Sequence, residues 1–233
     1  CTLSLPRRGP APYPALVTIT GSGGQDRDEN LWPLVPGYHL FRQVADAVGA
    51  AGIATLRCDD RGVGASTGRS DSATTPDLAA DTRAQIAWLR HRPEIDPNRL
   101  ALIGHSEGGI IGPMLAADDP RLRALVVLAG PAKPGRDVLV DQARWPIRSS
   151  ATLTPAERAE RLAQAERAVR SDSFPANPWM RWFVDYDPRP VLGRVRQPVL
   201  VLQGALDRQV SAGQADTLGA LLRAGRNRDV TVR

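Results

Sequence analysis

The 233-residue sequence predicts an α/β protein: a mostly parallel sheet wound with helices on both faces, interrupted by a helical insertion. Three observations predict it. Strand-length apolar runs alternate with stretches of helical periodicity, the pattern of βαβ units. Most of those runs are continuously apolar, as expected of strands covered on both faces. The glycine-rich and polar clusters fall just after strands, where the ligand crevice of such a sheet lies.

Taken in order, Thr2-Leu3-Ser4-Leu5-Pro6 reads as a short edge strand followed by a proline-rich turn through residue 14. Ala15–Thr20 is β-branched and apolar, hence a buried strand. It stops at Gly21-Ser22-Gly23-Gly24, and the polar, aperiodic Gln25–Asn30 is a loop. Residues 37–51 place Phe41, Val44, Ala45 and Val48 near helical spacing, with Gly52 as the terminating glycine. Ile53–Cys58 is the next strand, ending in Asp59-Asp60-Arg61-Gly62-Val63-Gly64-Ala65-Ser66. Thr75-Pro76-Asp77 opens a helix, the Thr75 hydroxyl capping it and Pro76 at its first position. Leu78, Thr82, Ile86 and Leu89 line one side up to about His91. Arg99–Ile103 is a strand, 107–118 a helix, 124–129 a strand, 198–203 a strand and 212–224 a helix. Asp229–Arg233 begins another strand.

Residues 131–197 break the alternation. They contain no strand pattern, and Thr154 with Glu157 forms a capping box opening a helix to about Arg170. Trp145, Phe174, Trp179, Trp182, Phe183 and Tyr186 also lie here. The expected organisation is therefore a core from residues 1–130 and 198–233 carrying a helical cap, 131–197, over the crevice. The competing reading is a surface excursion whose aromatics fill its own small core.

Composition narrows the function. Hydrophobic residues are 42% and charged residues 24%, ordinary for a globular chain. No stretch reaches membrane-spanning length, and no signal-peptide pattern opens the sequence. The net charge is +5, but the arginines are interleaved with acids and Lys133 is the single lysine, so no basic run points to nucleic acid. Two cysteines, Cys1 and Cys58, make no disulfide framework, and Cys58 is expected to pack as a small hydrophobe. Asp59 and Asp60 are adjacent at a strand end and point apart, and no His or Cys cluster accompanies them. A metal site is not expected.

The most informative stretch is Ala101-Leu-Ile-Gly-His-Ser-Glu-Gly-Gly-Ile-Ile-Gly112. A G-x-S-x-G sequence between a strand and a helix is the pattern of a nucleophile elbow. Ser106 is expected in a strained backbone conformation, with glycine needed on either side. Acyl transfer by serine needs a nucleophile, a base oriented by an acid, and oxyanion donors. Ser106 is the candidate nucleophile, and Asp207, at the carboxyl end of strand 198–203, is the candidate acid. The other reading of Asp207 is a loop aspartate capping the next helix. The backbone N–H groups of Glu107 and of Ser22, with Gly23 as second choice, are the candidate oxyanion donors; one such donor contributes about 3–4 kcal/mol. Gly21–Gly24 also reads as a flexible turn, but no Gly-Lys-Ser/Thr follows to make it a Walker loop. No histidine follows Asp207. His105 should point away from Ser106, His91 sits at a helix end, and His39 lies on the wrong side of the sheet.

These residues resemble the α/β-hydrolase superfamily, in particular its bacterial carboxylesterase and serine-aminopeptidase-like branch. Thr20–Glu29 is similar to that branch's oxyanion loop, which usually has Pro where this chain has Gly24. Asp59–Ser66 is similar to a second signature, Gly104–Gly109 to the elbow, and Leu202–Val210 to the acid loop. The resemblance implies a Ser–Asp–His hydrolase needing no cofactor, acting on a small-molecule ester or acyl substrate. It also implies a catalytic histidine after the strand that begins near Asp229, beyond Arg233. The chain thus reads as truncated at both ends, and the 233 residues are expected to hydrolyse esters poorly. Arg61 is expected to tie loops together beneath the site. An aminopeptidase, an acyltransferase on the same fold, and a non-catalytic binding module are the competing functional readings.

Overall fold

A computed structural model describes residues 1–31, 35–171 and 177–233. Its seven-stranded sheet has the order β1-β3-β2-β4-β5-β6-β7. The strands are β1 (Thr2–Ser4), β2 (Tyr13–Ile19), β3 (Ala54–Arg57), β4 (Ile95–His105), β5 (Ala124–Leu128), β6 (Val199–Leu202) and β7 (Val230–Val232). Only β1 runs antiparallel, along β3; every other pairing is parallel. The helices are α1 (Leu40–Ala50), α2 (Thr75–Arg90), α3 (Gly108–Asp118), α4 (Gly135–Arg148), α5 (Pro155–Arg170), α6 (Pro178–Asp185), α7 (Arg189–Leu192) and α8 (Gly213–Ala224). The predicted mostly parallel α/β architecture is the observed one.

Alternation along the strands divides the core. Ala15, Val17, Leu100, Leu102, Leu125, Val127, Val199 and Val201 face α2, α3 and α8, meeting Ile86, Leu89, Ile111, Leu115 and Leu218. Leu16, Ile103, Val126 and Leu128 face the other way, toward Phe41, Val44 and Val48 of α1. This second face is less deeply covered. On β5 and β6 the residues alternate between buried and half-buried. The continuous apolar runs suggested equal burial on both faces, but among the described elements α1 alone covers that side.

Two local expectations need correction. The α2 cap is Thr74, not Thr75: Thr74 N–H and Oγ1–H both bond the Asp77 carboxylate, a capping box shifted by one residue. Thr75 is drawn inward by a buried partner described below. Cys58, read as a packed hydrophobe, is joined to Cys1 by a disulfide. The pairing of β1 with β3, Thr2 opposite Arg57, brings the two cysteines together, a long-range neighbourhood that spacing in sequence does not reveal.

Within 131–197 the described residues form helices only, and Phe174 lies outside the described residues. The Thr154–Glu157 capping box is present at the start of α5. Val138 and Phe183 pack with Ile110 of α3, so this segment's apolar side chains reach into the core rather than only onto one another.

Candidate active site

The site is built on the turn from β4 to α3. Ser106 has φ +52°, the left-handed region that a non-glycine residue rarely occupies. Its N–H donates to Leu128 O at 2.9 Å, which fixes the turn to β5. The flanking glycines are required by space. A Cβ at Gly104 would lie 2.0 Å from Gly108 O, and one at Gly108 would lie 2.2 Å from Ile19 O. The strain expected from the sequence is therefore present, as is the steric reason for glycine on either side. Ser106 itself is only partly buried, next to the N-terminus of α3, where free amides favour negative charge.

Around Ser106 lies a cavity of about 80 Å³. Among the described residues its lining includes Ser22 from the loop after β2, Val138 and Leu139 from α4, Phe183 from α6, and Val210 from the loop after β6. The candidate oxyanion residues Ser22 and Glu107 thus share this cavity with Ser106. Among the described residues, no protein acceptor is paired with the N–H of either. Gly23, with φ +92°, lines a neighbouring cavity but not this one.

Asp207 lies in the loop after β6, half-buried. Its Oδ1 accepts from the N–H groups of Gln209 at 2.8 Å and Val210 at 3.0 Å, and its Oδ2 from Gln203 Nε2 at 2.9 Å. These contacts hold the carboxylate within its own loop. The alternative helix-capping reading does not fit them, because α8 begins at Gly213 with Ala212 as its cap. Gln209 and Val210 line the cavity at Ser106, so the Asp207 loop and the elbow meet at one rim. Arg208 of this loop stacks over Trp145 of α4 at 4.6 Å.

The chain's three histidines are accounted for elsewhere. His105 Nδ1 lies 2.7 Å from Glu29 Oε1, His91 ends α2, and His39 precedes α1 in a bridge to Asn30. None of them lines the cavity at Ser106.

Sequence reasoning missed the carboxylates that brace the loops. Glu29 is 3% exposed and accepts the Gly21 N–H at 2.8 Å as well as facing His105, locking the loop after β2 to the elbow. Its only trace in the sequence is its place at the end of the Thr20–Glu29 block, within an otherwise unpatterned polar run. Asp59 and Asp60 do point apart. Asp59 pairs with Arg27, whose hydrogen bonds hold its carboxyl below the usual carboxylate range. Asp60 accepts from Thr20 Oγ1 at 2.8 Å and from the Gln25 N–H at 2.9 Å. Burial pushes its carboxyl up to about 6, reinforced by the charges of Glu107 and Glu29 and opposed by those two hydrogen bonds. Arg61 reaches away from the crevice, onto Asp81 and the Asp77 carbonyl of α2.

Glu107 is also 3% exposed. Its Oε1 accepts from Thr75 Oγ1, the contact that draws Thr75 inward, and from Trp179 Nε1 at 2.7 Å. Burial raises its pKa above the ordinary glutamate value.

The family model for serine aminopeptidase S33 matches residues 37–189. Esterase EstD of Thermotoga maritima is 26% identical over 211 residues, covering 88% of this chain and 49% of its own length. Thiohydrolase apmlB of Arthrinium phaeospermum is 37% identical over 105 residues, covering 42% of this chain and 34% of its own. The chain thus spans about half the length, or less, of these curated relatives. Among solved structures, ferulic-acid-bound Est1E from Butyrivibrio proteoclasticus superposes with a TM-score of 0.68 at 18% identity, covering 100% of this chain and 83% of that one. The Pyrococcus furiosus esterase PF2001 gives 0.64 at 17%, covering 94% and 71%. At those identities the likeness is one of fold.

Proposed function

The chain belongs to the serine aminopeptidase S33 family of α/β hydrolases, and on that premise we propose that it cleaves carboxylic esters with short acyl groups through an acyl-enzyme on Ser106. The observation that carries this reading is the left-handed Ser106, set in one cavity with Ser22 and Glu107, whose amides are paired with no described protein group. Ser106 Oγ attacks the ester carbonyl as its proton passes to a base. The carbonyl oxygen becomes an oxyanion held by the Glu107 and Ser22 amides, with Gly23 as the second candidate on the same loop. Collapse of the intermediate breaks the ester C–O bond, releases the alcohol and leaves the acyl group on Ser106. Water then takes the serine's part in the reverse sequence and releases the acid. Asp207 orients the base, taken in this reading to be a histidine. Residues 131–197 act as a cap, a role supported by the share of the cavity wall they contribute through Val138, Leu139, Trp179 and Phe183.

A fluorophosphonate probe tests the nucleophile. The adduct is expected on Ser106 by peptide mass spectrometry and should vanish in Ser106→Ala; labelling that survives the substitution overturns the assignment. A panel of aryl esters against aminoacyl amides decides the bond cleaved, and faster turnover of the amides would reverse the ester preference.

A further inference from the structure

The buried Glu107 carboxylate and the indole it holds have no part in the chemistry above. Helix α6 begins at Asn177, whose Oδ1 accepts the Met180 N–H at 2.7 Å, and its first turn carries Trp179 over the elbow. The indole Nε1–H donates to Glu107 Oε1, and the ring stacks on Phe183 at 4.9 Å with planes 9° apart. On the far side α4 clamps the helix: Gly135 N–H donates to Tyr186 O at 2.9 Å, and a Cβ at Gly135 would lie 1.7 Å from Phe183 O. The ring is therefore held by a hydrogen bond and a stacking partner, on a helix fixed by a close backbone contact with α4.

Two cavities meet at this ring. One is the space of about 80 Å³ at Ser106, with Ile110, Val138, Leu139 and Phe183 as apolar walls. The other, about 420 Å³, has Asp60, Ser70, Asp71 and Asn177 among its walls. Among the described residues only Ser22, Glu107 and Trp179 line both, and of these only Trp179 carries a bulky side chain of the inserted segment. The smaller space, about 80 Å³ against about 420 Å³, suits a short acyl chain better than a long one.

We propose that Trp179, oriented by the Glu107 carboxyl, is the partition that limits the acyl chain reaching Ser106, with Glu107 as its positioning residue. This rests on the reading of Ser106 as the acyl acceptor. Removal of the indole joins the two spaces, so a chain that now stops at the ring would continue into the larger cavity. The charged walls of that cavity make it a poor solvent for long fatty-acyl chains, so the gain is expected up to about the length of an octanoyl chain and not beyond it.

The test compares acetyl, butyryl and octanoyl p-nitrophenyl esters across the native chain, Trp179→Phe, Trp179→Ala and Glu107→Gln. Trp179→Ala should raise the kcat/KM ratio of octanoyl to acetyl ester by about tenfold or more, the scale on which pocket methylenes discriminate. Trp179→Phe, which keeps the stack but loses the Nε1–H donor, should fall between. Glu107→Gln retains an acceptor oxygen and should shift the ratio least. An unchanged ratio in a folded Trp179→Ala chain, with native circular dichroism, overturns the proposal. Saturation-transfer NMR with methyl propyl and methyl octyl ketone, which are not hydrolysed, separates it from the nucleophile assignment. Adding Trp179→Ala to the Ser106→Ala chain should favour the octyl ketone. Failure to do so defeats the partition. If the ketone preference shifts while Ser106→Ala leaves hydrolysis intact, the partition stands and the nucleophile reading falls.

Discussion

Asp60 braces the loop that carries Ser22. Its carboxyl, which accepts two hydrogen bonds from that loop, is raised to about 6 chiefly by burial. The folded pKa exceeds the unfolded value, so the protonated form favours the fold. The contribution is complete below about pH 4 and is lost as pH rises through about 6. Asp60→Asn removes that titration. The variant's stability relative to the native chain should therefore improve between pH 4 and pH 6, by no more than about 3 kcal/mol. Urea unfolding at several pH values measures it, and a difference independent of pH would refute it. Gly104→Ala addresses the elbow directly. With the new Cβ 2.0 Å from Gly108 O, either the turn shifts or the fold is lost, and Ser106 labelling should vanish in both cases. The Gly104, Ser106 and Gly108 pattern was legible in sequence because its geometry is local, enforced within five residues. Glu29 and Glu107 were not, since a carboxylate's role depends on which distant donors the fold carries to it: Gly21 and His105 for one, Thr75 and Trp179 for the other.

At the scale of elements, continuous apolar runs located the strands, and periodicity and capping signals located α1, α2, α3, α5 and α8, while α4, α6 and α7 of the inserted segment were not read individually and the capping side chain was less secure. The α5 capping box was readable because Thr154 and Glu157 bond only to each other's turn. Thr154→Ala should lower stability by about 1 kcal/mol, or less for so exposed a helix, in a chemical denaturation midpoint. At α2 the cap fell one residue earlier than the sequence suggested, on Thr74, because the buried Glu107 claims Thr75. The packing of α1 centres on Phe41, fully buried against Leu16 and Ile103, with Leu40, Val44 and Val48 around it. Phe41→Ala should cost about 3–5 kcal/mol, since the sheet cannot collapse into the space left. A loss under about 1 kcal/mol would mean that α1 is held by something other than this cluster.

At the scale of the molecule, the Cys1–Cys58 disulfide spans 57 residues and anchors the edge strand β1 to the strand that leads into the Asp59–Ser66 loop. Closing a loop of that length in the unfolded chain is worth at most about 4 kcal/mol, so Cys58→Ser should lower Tm by several degrees, provided that the native chain shows the bond in a non-reduced peptide map. Equal melting of the two would show that the cross-link carries no stability. The wall of the Ser106 cavity draws on stretches far apart in sequence: the loop after β2, the elbow, helices α4 and α6, and the Asp207 loop.

The sequence by itself determined the mostly parallel sheet, the strained serine turn and the loop after β6 that carries Asp207. Each of these is written in a local signal: a continuous apolar run, a near-four-residue periodicity, a steric need for glycine, or a polar cluster after a strand. Only the tertiary structure decided which residues brace that framework and what shape the cavity takes. The disulfide, the Glu29–His105 contact, the shifted α2 cap and the Glu107–Trp179 contact all join groups tens of residues apart. The energy of such contacts depends on burial and on orientation to within a few tenths of an ångström, quantities fixed only once the strands are paired and the helices packed.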